Sequence, residues 1–149
     1  MTRLAQLFQN QVLLCTLAAW IIAQSAKVLL AVRRNHRFDV RWFLGTGGMP
    51  SAHSAGVSAL ATGVGLETGF HTAGFAMALM FALVTMFDAQ GVRRSAGRQA
   101  VILNKMIDEV YTRGQIGEGR LKELIGHTPI EVLVGAAVGC AIAVLMYWP

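Results

Sequence analysis

At 149 residues the chain has the length of one domain, yet 54% of it is hydrophobic and only 14% is charged, against about 25% charged residues in an ordinary soluble domain. That hydrophobicity excludes a disordered chain, which needs low hydrophobicity and high charge, and so small a soluble globule could not hide so much apolar surface. An integral membrane protein remains, and a basic one: 13 Lys and Arg against 8 Asp and Glu give a formal net charge of +5.

The N-terminal Met1-Thr2-Arg3 holds one basic residue and leads into a long apolar run without a small-x-small exit, so the run reads as a retained span and not a cleaved signal. That first span covers about 12–32, enough to cross a hydrocarbon core of about 30 Å. The second apolar segment, about 54–66, is short and built of small residues, and the third covers about 70–87. Residues 92–110 differ in kind. On a wheel of about 100° per residue, Val92, Ala96, Leu103, Met106, Ile107 and Val110 share one face, and Arg93, Arg94, Arg98, Asn104, Lys105, Asp108 and Glu109 the other. This is an amphipathic helix, on the membrane surface or packed under the bundle. Gly114, Gly117 and Gly119 then mark a flexible loop, and 120–125 a short helical piece. The fourth span, about 130–148, ends in Tyr147 and Trp148, which suit an interfacial aromatic belt. The expected fold is therefore all-α: a polytopic membrane helix bundle of about four transmembrane spans plus an amphipathic cytoplasmic helix, all in a single integral membrane domain.

Charge between the spans is uneven. Loop 33–53 holds Arg33, Arg34, Arg37 and Arg41 against Asp39, and segment 88–129 holds seven basic residues, whereas the turn between the second and third spans holds only Glu67 and His71. Four crossings place both basic loops on one side, the positive-inside rule makes that side the cytoplasm, and both termini then face out. Topology thus accounts for most of the basic charge, and a nucleic-acid partner is not needed to explain it. Small residues recur every fourth position: Ala55, Ala59 and Gly63; Gly74, Ala78 and Ala82; Gly135, Gly139 and Ala143. Such stripes let helices approach closely in lipid, within one chain or between copies. With only four helices to shelter polar groups, a homodimer is expected. Cys15 and Cys140 sit in apolar runs without metal-ligand spacing, so both read as small core residues.

Polar groups in so apolar a chain are the informative positions. Lys27 lies inside the first span, and Arg34, seven residues on, returns to the same face two turns later. A snorkelling lysine explains the first alone; two stacked cations without a carboxylate at helical spacing suit an anion better. The run Gly45-Thr46-Gly47-Gly48-Met49-Pro50-Ser51-Ala52-His53-Ser54 brings a glycine-rich approach to a helix start, with Ser51 at or near the cap. The run Gly126-His127-Thr128-Pro129-Ile130-Glu131 reads as a capping box with Pro at the first helical position. Glu131 is then either a cap or the carboxylate that sets the tautomer of His127, four residues earlier.

Together, Lys27-x6-Arg34, Pro50-Ser51-Ala52-His53 and His127-x3-Glu131 resemble the three-part signature of the type 2 phosphatidic acid phosphatase superfamily, which also includes vanadium haloperoxidases and bacterial acid phosphatases. The resemblance is closest to its small divergent membrane branch, through residues 47–54, 87–94 and 121–129 (Gly-Gly-Met-Pro-Ser-Ala-His-Ser, Phe-Asp-Ala-Gln-Gly-Val-Arg-Arg and Leu-Lys-Glu-Leu-Ile-Gly-His-Thr-Pro). Relative to the parent pattern, Asn35 replaces Pro, Ala52 replaces Gly and Glu131 replaces Asp. No Ser-Arg pair precedes His127 at the parent spacing: Arg120 is one residue too far and Lys122 too close.

The resemblance implies hydrolysis of a lipid phosphate or isoprenoid (di)phosphate at the cytoplasmic membrane face, with no metal or other cofactor. In that scheme His127, held by Glu131, is the nucleophile and His53 the general acid. Phosphate is bound by Lys27, Arg34 and Ser51 and a third cation among Arg120, Lys122 and the Arg93, Arg94, Arg98 cluster. Asp88, Arg93, Arg94 and Arg98 support the site or the headgroup. The implied partners are the phospholipid or isoprenoid phosphate substrate and the lipid bilayer. The competing expectation is a non-enzymatic binder or transporter of phosphorylated lipids that keeps the anion pocket.

Overall fold

The computed structural model describes residues 3–36, 39, 48–90, 92–111 and 127–148. Their regular structure is helical throughout: α1 (Arg3–Leu7), α2 (Gln11–Asn35), α3 (Ala52–Thr68), α4 (Ala73–Gln90), α5 (Val92–Tyr111) and α6 (Pro129–Tyr147). The glycine loop at 114–119 and the helical piece at 120–125 lie outside the described residues.

Local chemistry sets the helix ends. Asn10 caps α2 by accepting the Leu13 N–H at 2.9 Å. The helix stops at His36, whose left-handed backbone (φ 51°) lets its N–H donate to the Val32 carbonyl at 2.9 Å. α3 starts on Ser51 and ends at Gly69, where φ is +96°, a conformation that glycine reaches without a steric penalty. The third apolar run was expected from about residue 70, but α4 begins at Ala73, because Thr72 accepts the Phe75 N–H at 3.2 Å and donates to the Gly69 carbonyl at 2.8 Å. Phe70 is left in the turn, edge-on to Phe75 with ring centroids 5.0 Å apart.

α2, α4 and α6 are each long and apolar enough to cross a membrane. α3, with 17 residues, is about 25 Å long and packs against all three. It runs the length of the bundle. At one end the Ser51 N–H donates to the Glu131 carbonyl; at the other, the Tyr147 hydroxyl donates to Glu67 at 2.8 Å and Gln11 Nε2 to the Met146 carbonyl at 2.7 Å. α3 and α6 therefore start at the same end, where α2 and α4 finish.

The small-residue stripes work inside the chain. A methyl group on Gly139 would overlap the Ala55 carbonyl oxygen, one on Gly135 the Ser51 carbonyl oxygen, and one on Gly63 would come within 2.9 Å of the Cys15 sulfur. Cys15, Ala19, Ala59 and Ala143 form a fully buried cluster, as expected for Cys15. Cys140 is a correction: it is exposed, because Gly139 takes the inward position and the next helical residue turns outward. Large apolar side chains cover the outside instead, among them Ile21 and Leu29 on α2, Met77, Phe81 and Phe87 on α4, and Leu133 and Leu145 on α6. On a membrane bundle such a surface faces lipid.

α5 departs from its expected two-faced pattern. Asn104 was placed on the polar face, but it is buried, together with Gly97 and Ala100. Leu103 and Met106 are exposed. Glycine and alanine allow the closest approach between helices, so the small-residue side of α5 turns inward and the bulky side outward.

Candidate functional site

At the end where α3 and α6 begin, contacts link the segments that carry the expected site residues. Ala23 on α2 packs against Ala52 and Ala55 in the first turn of α3. Lys27, one turn further along α2 on the same side, is half-buried, and a Cβ on Gly48 would lie 3.4 Å from its Cγ and Cδ. The lysine stem thus runs beside the loop that leads to Ser51. Ser51 has no exposed surface. Its hydroxyl oxygen accepts the Ser54 N–H at 3.4 Å and the Ser54 hydroxyl at 3.0 Å, which turns its own proton away from Ser54. Its N–H donates to the Glu131 carbonyl at 3.1 Å, joining the starts of α3 and α6.

Glu131 performs both roles that its sequence position allowed, through one oxygen. Its Oε2 accepts the Thr128 N–H at 3.0 Å, while Thr128 Oγ1 accepts the Glu131 N–H at 3.3 Å, which closes the capping box. The same Oε2 lies 3.2 Å from His127 Nδ1. An ionised carboxylate only accepts hydrogen bonds, so the contact assigns a proton to Nδ1, and in the neutral ring the lone pair is then on Nε2. The His127 side chain is 2% exposed and that of Glu131 20%. His127 is further fixed by its N–H, which donates to the Ala89 carbonyl at the end of α4 at 3.2 Å.

The two adjacent helix starts direct free N–H groups to this end and Lys27 adds a cation, while the ends of α2 and α4 and the Glu131 carboxylate lie there with the opposite sign. Arg34 lies about 10 Å further along α2 and is exposed in the last turn, where a cation also complements the helix C-terminus.

His53 is in the first turn of α3 but exposed, and Asp88, exposed, precedes the Ala89 that holds His127. Arg93, Arg94 and Arg98 belong to α5, with side chains outside the described residues, as are Arg120 and Lys122 altogether. The described contacts join Ser51, His127 and Glu131, and the Lys27 stem lies beside Gly48 on the approach to Ser51. Two residues of this region escaped the sequence reading. Ser54, 1% exposed, orients the Ser51 hydroxyl. Gln24, 6% exposed, is a carboxamide buried next to Ala23; its position three residues before Lys27, in an otherwise apolar span, was the available signal.

Comparison with known proteins places these observations in context. A family model described as "Divergent PAP2 family" matches residues 8–142. The chain is 41% identical over 152 residues to "Uncharacterized membrane protein YuiD" of Bacillus subtilis (strain 168), an alignment that covers 95% of this chain and 96% of that protein. No solved structure matches it.

Proposed function

Because this chain belongs to the divergent PAP2 family, we propose that it is a membrane phosphatase, which hydrolyses a lipid phosphate or isoprenoid (di)phosphate through a phosphohistidine. The observation that carries this reading is the double use of Glu131 Oε2, because a capping box does not require a histidine bound to the capping carboxylate. His127 Nε2 attacks phosphorus, the phosphorus–oxygen bond to the leaving group breaks, and the leaving oxygen takes a proton from His53. Water then attacks the phosphohistidine, gives its proton to His53, and releases phosphate and the free His127 ring. Glu131 supports the positive charge that His127 acquires during attack. Lys27, Arg34, the Ser51 hydroxyl and the amides at the start of α3 bind the phosphoryl oxygens, with a further cation from Arg120, Lys122 or the arginines of α5. Since Ser51 and His127 are buried, the chain covering them must move to admit the phosphate. By the positive-inside rule the site faces the cytoplasm and both termini face out.

A second reading, a binder or transporter of phosphorylated lipids without hydrolysis, is favoured by the altered third motif, in which no Ser-Arg pair precedes His127 at the parent spacing. Phosphate release by the purified protein from a panel of lipid phosphates and isoprenoid diphosphates separates the two. Wild type is expected to release phosphate, and His127→Ala to lower the rate by about 10³-fold or more. Release that survives His127→Ala removes the nucleophile. No release from any substrate, with lipid-phosphate binding lost in Lys27→Ala, selects the binder.

A further inference from the structure

α5 has three sides. Gly97, Ala100 and Asn104 form a buried stripe at helical spacing, which holds the helix against the protein. Ile102, Leu103 and Met106 stand on a neighbouring arc and are 55%, 47% and 56% exposed. Gln99, also exposed, lies within that arc, and the exposed Lys105 lies about 60° beyond Ile102, on the polar side of it. We propose that Ile102, Leu103 and Met106 are a lipid-docking ridge that seats α5 in the headgroup region of an anionic bilayer, on the leaflet at the His127 end of the bundle.

Position supports this occupant. α5 begins two residues after α4 ends, and the lipid-facing side chains of α4 continue as far as Phe87, 74% exposed. α5 therefore starts where the lipid-facing surface of α4 ends, and the ridge lies about 15 Å along it. Charge supports it as well. The α5 sequence holds Arg93, Arg94, Arg98 and Lys105 against Asp108 and Glu109, an excess that complements anionic headgroups. A second copy docked ridge to ridge would bring two basic helices together and oppose its own association. An amphipathic helix in this setting buries its apolar side about 5–10 Å into the headgroup and acyl boundary. Docking there holds the His127 end of the bundle level with lipid headgroups, whether or not the protein hydrolyses them.

The test uses the full chain in phosphatidylcholine vesicles with and without phosphatidylglycerol. Single cysteines at 102, 103, 106 and 105 are introduced in a Cys140→Ala background, Cys15 being fully buried, and labelled with an environment-sensitive fluorophore. All four positions are exposed, so the label does not disturb packing. Labels at 102, 103 and 106 are expected to emit at shorter wavelength and to be quenched by lipids brominated near the glycerol at least about twofold more than the label at 105. The label at 105 is expected to be quenched by aqueous iodide, and phosphatidylglycerol to widen the difference. Iodide quenching at 102, 103 and 106 equal to that at 105 overturns the proposal. Protection from both quenchers overturns it too, and indicates a protein on the ridge. Neither result depends on phosphatase activity.

Discussion

Glu131 Oε2 closes a helix cap and fixes a histidine ring at the same time, so the two contributions separate only by substitution. Glutamine also closes a capping box, and Glu131→Gln is expected to leave the thermal unfolding midpoint near that of wild type. It removes the negative charge that supports His127, and phosphate release is expected to fall by about 10²-fold or more. Thr128→Ala is expected to do the reverse: lose about 1 kcal/mol of stability with the cap and keep most of the activity. Thermal unfolding and phosphate release on the two purified variants check both. Activity retained in Glu131→Gln would reduce Glu131 to a cap. The box was legible in the sequence because it is a contact within three residues. The bond to His127, four residues away, was open there as the alternative; the hold on the His127 backbone N–H by the Ala89 carbonyl of another helix was not legible, because it joins residues 38 apart.

Among the helices, α3 is the shortest of the four in the bundle and the one that the others enclose. Its carbonyls at Ser51 and Ala55 face Gly135 and Gly139 with no room for a methyl group. Gly135→Ala and Gly139→Ala are each expected to destabilise the bundle by about 1–3 kcal/mol, read as lower unfolding midpoints in detergent. Gly135 lies one turn from Glu131, so its substitution also pushes the α6 start away from Ser51 and is expected to lower phosphate release more than Gly139→Ala does. Equal losses of activity would assign both effects to stability. The glycine spacing was visible in the sequence, but its use was not: the stripes of α3 and α6 suited contacts between copies equally well. α5 makes the same point. Its polar and apolar faces were readable, yet the side that packs inward is the small-residue one, which brings Asn104 with it and leaves Leu103 and Met106 outside.

For the molecule as a whole, the convergence of four helix ends requires that α3 run the length of the bundle. It does so, from the Ser51–Glu131 contact at one end to the Glu67–Tyr147 contact at the other. Cysteines introduced at Thr46 and Gln115 are therefore expected to react with an impermeant maleimide from one side of the membrane, and one at His71 from the other. The positive-inside rule further assigns 46 and 115 to the cytoplasm. Reaction of 46 and 115 from opposite sides would dissolve the shared site, and reaction of both from outside would invert the orientation. Membrane class and the apolar runs followed from the amino-acid sequence alone, because hydropathy is a sum over many residues and tolerates local error. The helix caps followed as well, because their partners are three or four residues apart. The full run of α3, the inward side of α5, the exposure of Cys140 and the joining of Ser51, His127 and Glu131 depend on which small-residue surfaces meet. Those contacts join residues far apart in the chain, where local spacing carries no record of the partner.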